Sequence, residues 1–229
     1  MIMSVPTFFI NEIFETIQGE AHWTGAPAVF VRLQGCDVGC AWCDTKHTWE
    51  RLPTAEISIE SLLKKSDDAP SFARLSVQEL VAQIQIFHAK HVVITGGEPA
   101  MYDLTALTER LVALGFRVQL ETSGVYPIRV VPQVWVTLSP KLNMSGGKEV
   151  LPQAVFRANE IKLPVGKMRD YEQFCHWISQ HQLNQALANI DVWLQPLSQS
   201  LSATELCQKL AILNGHRVSI QVHKYLGIR

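Results

Sequence analysis

The sequence predicts an α/β fold built on a mainly parallel sheet, and three observations carry that reading. Runs rich in Val, Ile and Leu recur along the chain. Several of them are nearly continuous in apolar residues, as strands covered on both faces are. Between them lie helical patterns with their own start and stop signals. Apolar residues make up 47% of the 229 residues and charged residues 18%, against about 25% charged in ordinary domains. That balance implies one domain spanning 1–229 with a filled core, and argues against disorder.

The expected strands, in order, are "AVFVRLQG" (28–35), "HVVITGG" (91–97), "RVQLETSG" (117–124), "WVTLSPK" (135–141), "EIKLPV" (160–165), "DVWLQPL" (191–197) and "RVSIQVHKY" (217–225). Residues 50–75 break the rhythm with two prolines, a Lys pair and an Asp pair, and read as an irregular insertion holding one short helix. Ser76 and Glu79 form a capping box ahead of "VQELVAQIQIFH": the serine can cap a backbone N–H and the glutamate can reach back. "TALTERLVALG" stops at Gly115, a natural residue just past a helix end. A further helix covers 168–180. Ser202 and Glu205 repeat the capping-box spacing before "LCQKLAILNG", which stops at Gly215. Cys175 and Cys207 fall inside these helical patterns, where a buried, small apolar role is expected.

Lys plus Arg is 20 and Asp plus Glu is 21, a net charge of −1, so no global basic field points to nucleic acid. The N-terminal stretch "MIMSVPTFFINEIF" lacks the basic start and long apolar run of a signal peptide, and no stretch approaches the ~20 apolar residues of a membrane span. The expectation is a cytoplasmic protein without nucleic-acid or membrane partners. In that reducing compartment clustered cysteines mean metal or redox chemistry more often than disulfides.

Strands end in polar or glycine-rich tips at 34–35, 95–98, 121–124, 139–141 and 195–196. In open α/β sheets and barrels, ligands sit at the carboxyl ends of the strands, so five such tips point to one shared site. The first tip leads into "GCDVGCAWCDT", where Cys36, Cys40 and Cys43 follow the spacing C-x3-C-x2-C. Three free thiols at this density invite oxidation. Structural zinc is a second reading, with His47 completing a Cys3His set, though a domain with its own core hardly needs a zinc staple. A cubane iron–sulfur cluster held by three thiolates is the third. An electron carrier gains from coordinating all four irons. An iron with no protein ligand is useful when a cosubstrate binds it, and S-adenosylmethionine (SAM) can do so through its amino and carboxylate groups. One electron from the cluster then cleaves the sulfonium and releases a 5′-deoxyadenosyl radical.

With Trp42 as the aromatic residue before the last cysteine, and "TGGEP" (95–99) as a second motif, the chain resembles the radical SAM superfamily. The flanks narrow this. "NEIFETIQGEAHWTGAPAVFVRLQGCDVGCAWCDTKHTW", "HVVITGGEP", "ETSG", "SPKLNM", "NEIKLPVG", "LQPLSQ" and "HKYLGI" are similar, in that order, to the 7-carboxy-7-deazaguanine synthase family, over nearly the whole chain except 50–75 and parts of 168–190.

The resemblance implies a partial (βα) barrel of the radical SAM type, and an enzyme that converts 6-carboxy-5,6,7,8-tetrahydropterin to 7-carboxy-7-deazaguanine. Hydrogen leaves C6, the ring contracts and ammonia departs. It implies a 4Fe-4S cluster on Cys36, Cys40 and Cys43, SAM that is regenerated, and Mg2+ on the hydroxyl of Thr45, a hard oxygen ligand. A threonine hydroxyl capping the loop turn is the commoner use. SAM contacts map to Trp42, Cys43, Asp44, Gly97, Ser139, Pro140, Lys141, Gln195, Pro196, Leu197 and Ser198. Glu98 could meet the methionine ammonium or stabilise its own turn. Substrate contacts map to Ile17, Gln18, Gly19, Arg32 and Thr95. Arg32 offers a planar fork to the substrate's carboxylate; its structural alternative is a strand-edge ion pair. The implied partners are a homodimer mate and a reductant protein such as flavodoxin or ferredoxin. A radical enzyme acting on a partner protein, and a zinc-stabilised binding module, are the rival readings.

One departure from the family pattern stands out: Ala21 replaces the glycine of "QGEG", at a cost of about 1 kcal/mol if that turn needs positive φ. His22, His47 and His223 could touch the site, but a structural histidine is the default for each.

Overall fold

The computed structural model describes residues 6–228; the first five residues, part of the stretch read above for a leader, and Arg229 lie outside it. Strands β1 (Thr7–Ile17), β2 (Pro27–Leu33), β3 (Ala73–Ser76), β4 (His91–Gly96), β5 (Arg117–Thr122), β6 (Trp135–Leu138), β7 (Glu160–Val165), β8 (Asp191–Pro196) and β9 (Arg217–Val218) form one sheet. Their order is β3-β1-β2-β4-β5-β6-β7-β8-β9. From β2 onward every adjacent pair is parallel, while β1 pairs antiparallel with both β2 and β3. The helices are α1 (Ile59–Leu63), α2 (Val77–Ile84), α3 (Thr105–Ala113), α4 (Gln153–Arg157), α5 (Met168–Gln180), α6 (Asn184–Leu187), α7 (Leu201–Asn214) and α8 (Val222–Leu226). None is long and apolar enough to cross a membrane.

The sheet is curled. Gln18, at the end of β1, donates to Gln119 of β5 at 3.3 Å, although β2 and β4 stand between those strands in the sheet order. The chain of polar contacts continues from Gln119 to Thr137 (2.9 Å) and from Thr137 to Glu160 (2.6 Å), stepping across β5, β6 and β7 on the inner face. The outer face is apolar. Leu80, Ile84, Leu107 and Leu111 of α2 and α3 share one core with Val29, Val31, Val92, Ile94, Val118 and Leu120. Phe174, Trp177 and Ile178 of α5 share another with Leu138, Ile161, Leu163, Val192 and Leu194. The strands between them thus carry apolar residues outward and polar ones inward, and the result is a partial (βα) barrel, with β3 and β9 as its two edges.

The capping box forms as read: Glu79 accepts from Ser76 N (2.8 Å) and Ser76 Oγ accepts from Glu79 N (3.3 Å). Gly115 and Gly215 take φ of +82° and +68° past their helices. Four expectations need correction. Strands β1 and β3 were not predicted. In β1 the bulge between Ile10 and Glu12 breaks the alternation that would have marked a strand. The predicted strand at 217–225 is a two-residue strand followed by α8, because the backbone leaves β8 and Val222 N donates to Gly19 O instead (2.9 Å). The second capping box does not form. Helix α7 starts earlier, with Ser200 accepting from Ala203 N at 3.2 Å. Cys207 is buried, but Cys175 is exposed, since the buried residues of α5 are Phe174, Trp177 and Ile178.

Candidate active site

The carboxyl ends of the parallel strands open onto a cavity of about 590 Å³. The loop after β2 returns on itself: Gly35 N donates to Thr48 O (2.6 Å) and Cys36 N to Trp49 O (3.0 Å). This places Cys36, Cys40 and Cys43 on the cavity wall, none of them in a disulfide. The tip of β4 packs directly beneath. A β-carbon on Gly97 would lie 2.2 Å from Gly35 O, and one on Gly96 would lie 2.3 Å from Leu33 N. The double glycine is therefore required by the protein's own backbone before any ligand is considered. Glu98 is buried and fully engaged. Its oxygens accept from Ala100 N (2.9 Å), Thr122 Oγ1 (2.6 Å), Ser123 N (2.8 Å) and Ser123 Oγ. It stabilises its own turn and ties the tips of β4 and β5 together.

Burial, with Glu98 and the other two sulfurs adding to it, pushes the Cys36 thiol up to about 12, and burial raises Cys40 as well. Thiols in the surroundings of Cys36 and Cys40 ionise only against strong local positive charge, which the irons of a cluster supply. His47 does not complete a zinc set: its Nε2 lies 3.6 Å from Glu12, and it is not among the cavity's lining residues. The donor set thus fits a three-thiolate cluster with one iron open to a cosubstrate.

The expected residues converge. Ile17, Gln18, Arg32, Trp42, Asp44, Thr45, Thr95, Gly97, Ser139, Lys141, Gln195, Pro196, Leu197 and Ser198 all line the cavity. Thr45 precedes a single helical turn over Lys46–Thr48 but does not cap it; its hydroxyl lies 3.6 Å from Cys43 Sγ. Lys141 donates to Ser139 Oγ at 2.5 Å, and burial lowers its pKa. Arg32 makes an ion pair, across to β1 and not at a sheet edge, with Nε 3.8 Å from Glu12, and also faces the cavity. Two expected residues do not line it. Pro140 lies between Ser139 and Lys141, which do. Gly19 is covered by the C-terminal segment, so that a β-carbon there would meet His223 Nδ1 at 2.4 Å. Its close approach is to the chain itself.

Sequence reasoning missed the charged group at the centre of the floor. Lys162 is buried and lies 2.5 Å from both Glu20 and Glu121. Gln221 donates to Glu20 at 2.7 Å, and Gln195 does so at 3.3 Å. Burial pushes the Glu20 carboxyl up, but the attraction and hydrogen bond of Lys162 outweigh it and hold the carboxyl at about 2. Glu121 moves the other way, raised by burial and by Glu20 beside it. Burial opposes the charge on Lys162, yet the two carboxylates raise its pKa. A lysine within the apolar run "EIKLPV" was the available signal, since only an inward polar face accounts for it. His223 also lines the cavity, contrary to its structural default, and burial lowers its pKa. His22 does take a structural role, stacked on Trp135 with ring centroids 4.5 Å apart. Ala21 is buried with φ of +54°, so the strain foreseen for that turn is present.

Residues 30–135 match the family model of the Radical SAM superfamily. The chain is 51% identical over 227 residues to the 7-carboxy-7-deazaguanine synthase of Escherichia coli (strain K12), with 96% of this chain and 98% of that protein covered. It is 36% identical over 223 residues to the enzyme of the same name from Synechocystis, covering 96% and 93%. The crystal structure of QueE from Escherichia coli superposes with a TM-score of 0.89 at 49% identity, covering 94% of each chain.

Proposed function

The chain belongs to the 7-carboxy-7-deazaguanine synthase family of the radical SAM superfamily, and from that premise we propose how its residues serve the reaction. It is a radical SAM enzyme that converts 6-carboxy-5,6,7,8-tetrahydropterin to 7-carboxy-7-deazaguanine with loss of ammonia, on the route to the queuosine precursor. When bound, the 4Fe-4S cluster and SAM supply the one-electron chemistry that begins the conversion.

Cys36, Cys40 and Cys43 hold the cluster. The observation that carries this is three thiols on one wall of a cavity that also gathers the polar tips of five strand units. Trp42, Asp44, Gly97, Ser139, Lys141 and Gln195 through Ser198 hold SAM between the cysteine loop and the far strands, with Pro140 setting the turn between Ser139 and Lys141. Arg32 grips the substrate's carboxylate from β2, beside Phe14 and paired with Thr95. Gln18 donates to Glu121 at 3.3 Å, which sets a donor and an acceptor side by side, an arrangement suited to the amino-pyrimidinone edge of a pterin. Ile17 completes that wall, and Gly19 stands behind it, packed against His223. Thr45, turned toward Cys43 and away from its own helical turn, provides an oxygen ligand for Mg2+, with substrate oxygens and water as the others. The chain forms a single domain with the 50–75 insertion and works as a homodimer, with flavodoxin or ferredoxin as its reductant.

The test is anaerobic reconstitution followed by incubation with the carboxypterin and SAM. Mass spectrometry should find the deazaguanine product, and its absence would reject the residue assignments together. Cys43→Ala should lose both cluster content and turnover while circular dichroism stays that of the folded chain. Product formation near the wild-type rate by that variant would overturn the ligand assignment.

A further inference from the structure

The insertion through residues 50–75 takes no part in the site described above, yet it reaches the site's arginine through β1. The extra residue of the β1 bulge is Asn11, which is fully buried. A bulge re-aims the side chains beyond it, and this one is fastened from the insertion side. Asn11 Nδ2 donates to the carbonyls of Ala69 (3.2 Å) and Ser71 (3.1 Å), as well as to Gln34 Oε1 (2.7 Å). Lys65 Nζ donates to Asn11 O (3.3 Å), to Asn11 Oδ1 (3.0 Å) and to Ala69 O (2.6 Å).

With the register shifted by Asn11, Glu12 stands directly opposite Arg32. Its carboxylate is 5% exposed and lies 3.8 Å from Arg32 Nε and 3.6 Å from His47 Nε2. Asp68 of the insertion completes the group, with one polar atom each of Glu12, His47 and Asp68 within 4.8 Å of one another. Arg32 and Lys65 both act on His47 electrostatically, so two cations of the chain stand close to this group. A cross-strand ion pair on the Nε side leaves the terminal nitrogens of Arg32 for a bidentate grip from the cavity.

We propose that Glu12 is a positioning residue for Arg32, and that residues 65–71 hold Glu12 in register by pinning the Asn11 bulge. This role rests on reading Arg32 as the group that binds the substrate's carboxylate. Its consequence is selective: contacts to the pterin ring come from Gln18 and Glu121 and do not depend on Glu12.

The test compares Glu12→Gln, Lys65→Met and Arg32→Met as reconstituted holoenzymes, in steady-state kinetics and in inhibition by tetrahydropterin lacking the carboxylate. Glu12→Gln should raise KM for the carboxypterin by about tenfold with kcat within about twofold, while the inhibitor binds it as it binds wild type. Lys65→Met should move KM in the same direction by less, and the double variant should add little. An unchanged KM in Glu12→Gln, with a raised KM in Arg32→Met, overturns the positioning role and leaves the Arg32 reading intact. An unchanged KM in Arg32→Met overturns the reading beneath it. Equal weakening of both ligands overturns the proposal in favour of a merely structural role. If Glu12→Gln does not fold, an unchanged KM in Lys65→Met overturns it.

Discussion

A β-carbon on Gly97 has nowhere to go, because the atom it would meet 2.2 Å away is a backbone carbonyl of the cysteine loop. Gly97→Ala should therefore displace the segment bearing Cys36, destabilising the chain by about 1–3 kcal/mol and lowering bound iron and sulfide per chain. Iron analysis with a thermal melt checks this, and full cluster content in the variant would contradict it. Lys162 is the other residue on which much turns. Removing the cation from between Glu20 and Glu121 leaves two carboxylates facing each other, so Lys162→Met should cost about 3–5 kcal/mol, measured by urea unfolding. The pH dependence follows from Glu20, whose carboxyl lies at about 2 in the folded chain against an ordinary 4.5. Its contribution is whole above 4.5 and is lost as pH falls from there to about 2, where the unfolded chain takes up a proton that the folded chain refuses. Glu121 shifts upward and offsets part of that slope. Urea midpoints between pH 5 and pH 3 should fall in wild type and fall less in Lys162→Met.

Helix α7 shows how an element's boundary is decided outside the element. Ser202 and Glu205 have capping-box spacing, but Ser200 lies extended with φ of −67° and ψ of 143° and makes the cap. The residues before it, Ser198 and Gln199, take φ of +55° and +52°, so the chain turns there and the helix starts at Leu201. Ser200→Ala should lower stability by about 1 kcal/mol, and Ser202→Ala by no more than a few tenths. Thermal melts of the pair separate the two caps, and the reverse order would restore the sequence-based boundary. Strand β1 makes the same point. Its alternation fails at Asn11, and that failure is what sets Glu12 against Arg32. Strands β4, β5 and β7 were legible because burial on both faces leaves long apolar runs, apart from the inward-facing polar positions.

At the scale of the molecule, the C-terminal segment ties the loop after β1 to the cavity wall on the far side of the barrel. Ser219 accepts from Ala21 N (3.0 Å), Gln221 donates to Glu20 (2.7 Å), Val222 N donates to Gly19 O (2.9 Å), and His223 enters the cavity. The three cysteines and the residues of both apolar cores all precede position 219. Truncation after Val218 should therefore keep the fold and the cluster's absorbance but lose about tenfold or more in kcat/KM, checked by anaerobic kinetics. Turnover at the wild-type level would show that the segment is no part of the site. The sheet's two edges are both short, four residues in β3 and two in β9, which limits the unpaired backbone they offer to other chains.

Read alone, the amino-acid order determined the three-cysteine loop, the double glycine, the parallel strands and the helix stops at Gly115 and Gly215. Each depends on spacing or sterics within a few residues. Tertiary structure decided the Glu20–Lys162–Glu121 group, the Glu12–Arg32 pair and the entry of His223, whose members lie from 20 to more than 100 positions apart. Such contacts are set by register and by the curl of the sheet, and a one-residue bulge or an early strand end changes them without altering the local pattern that a sequence displays.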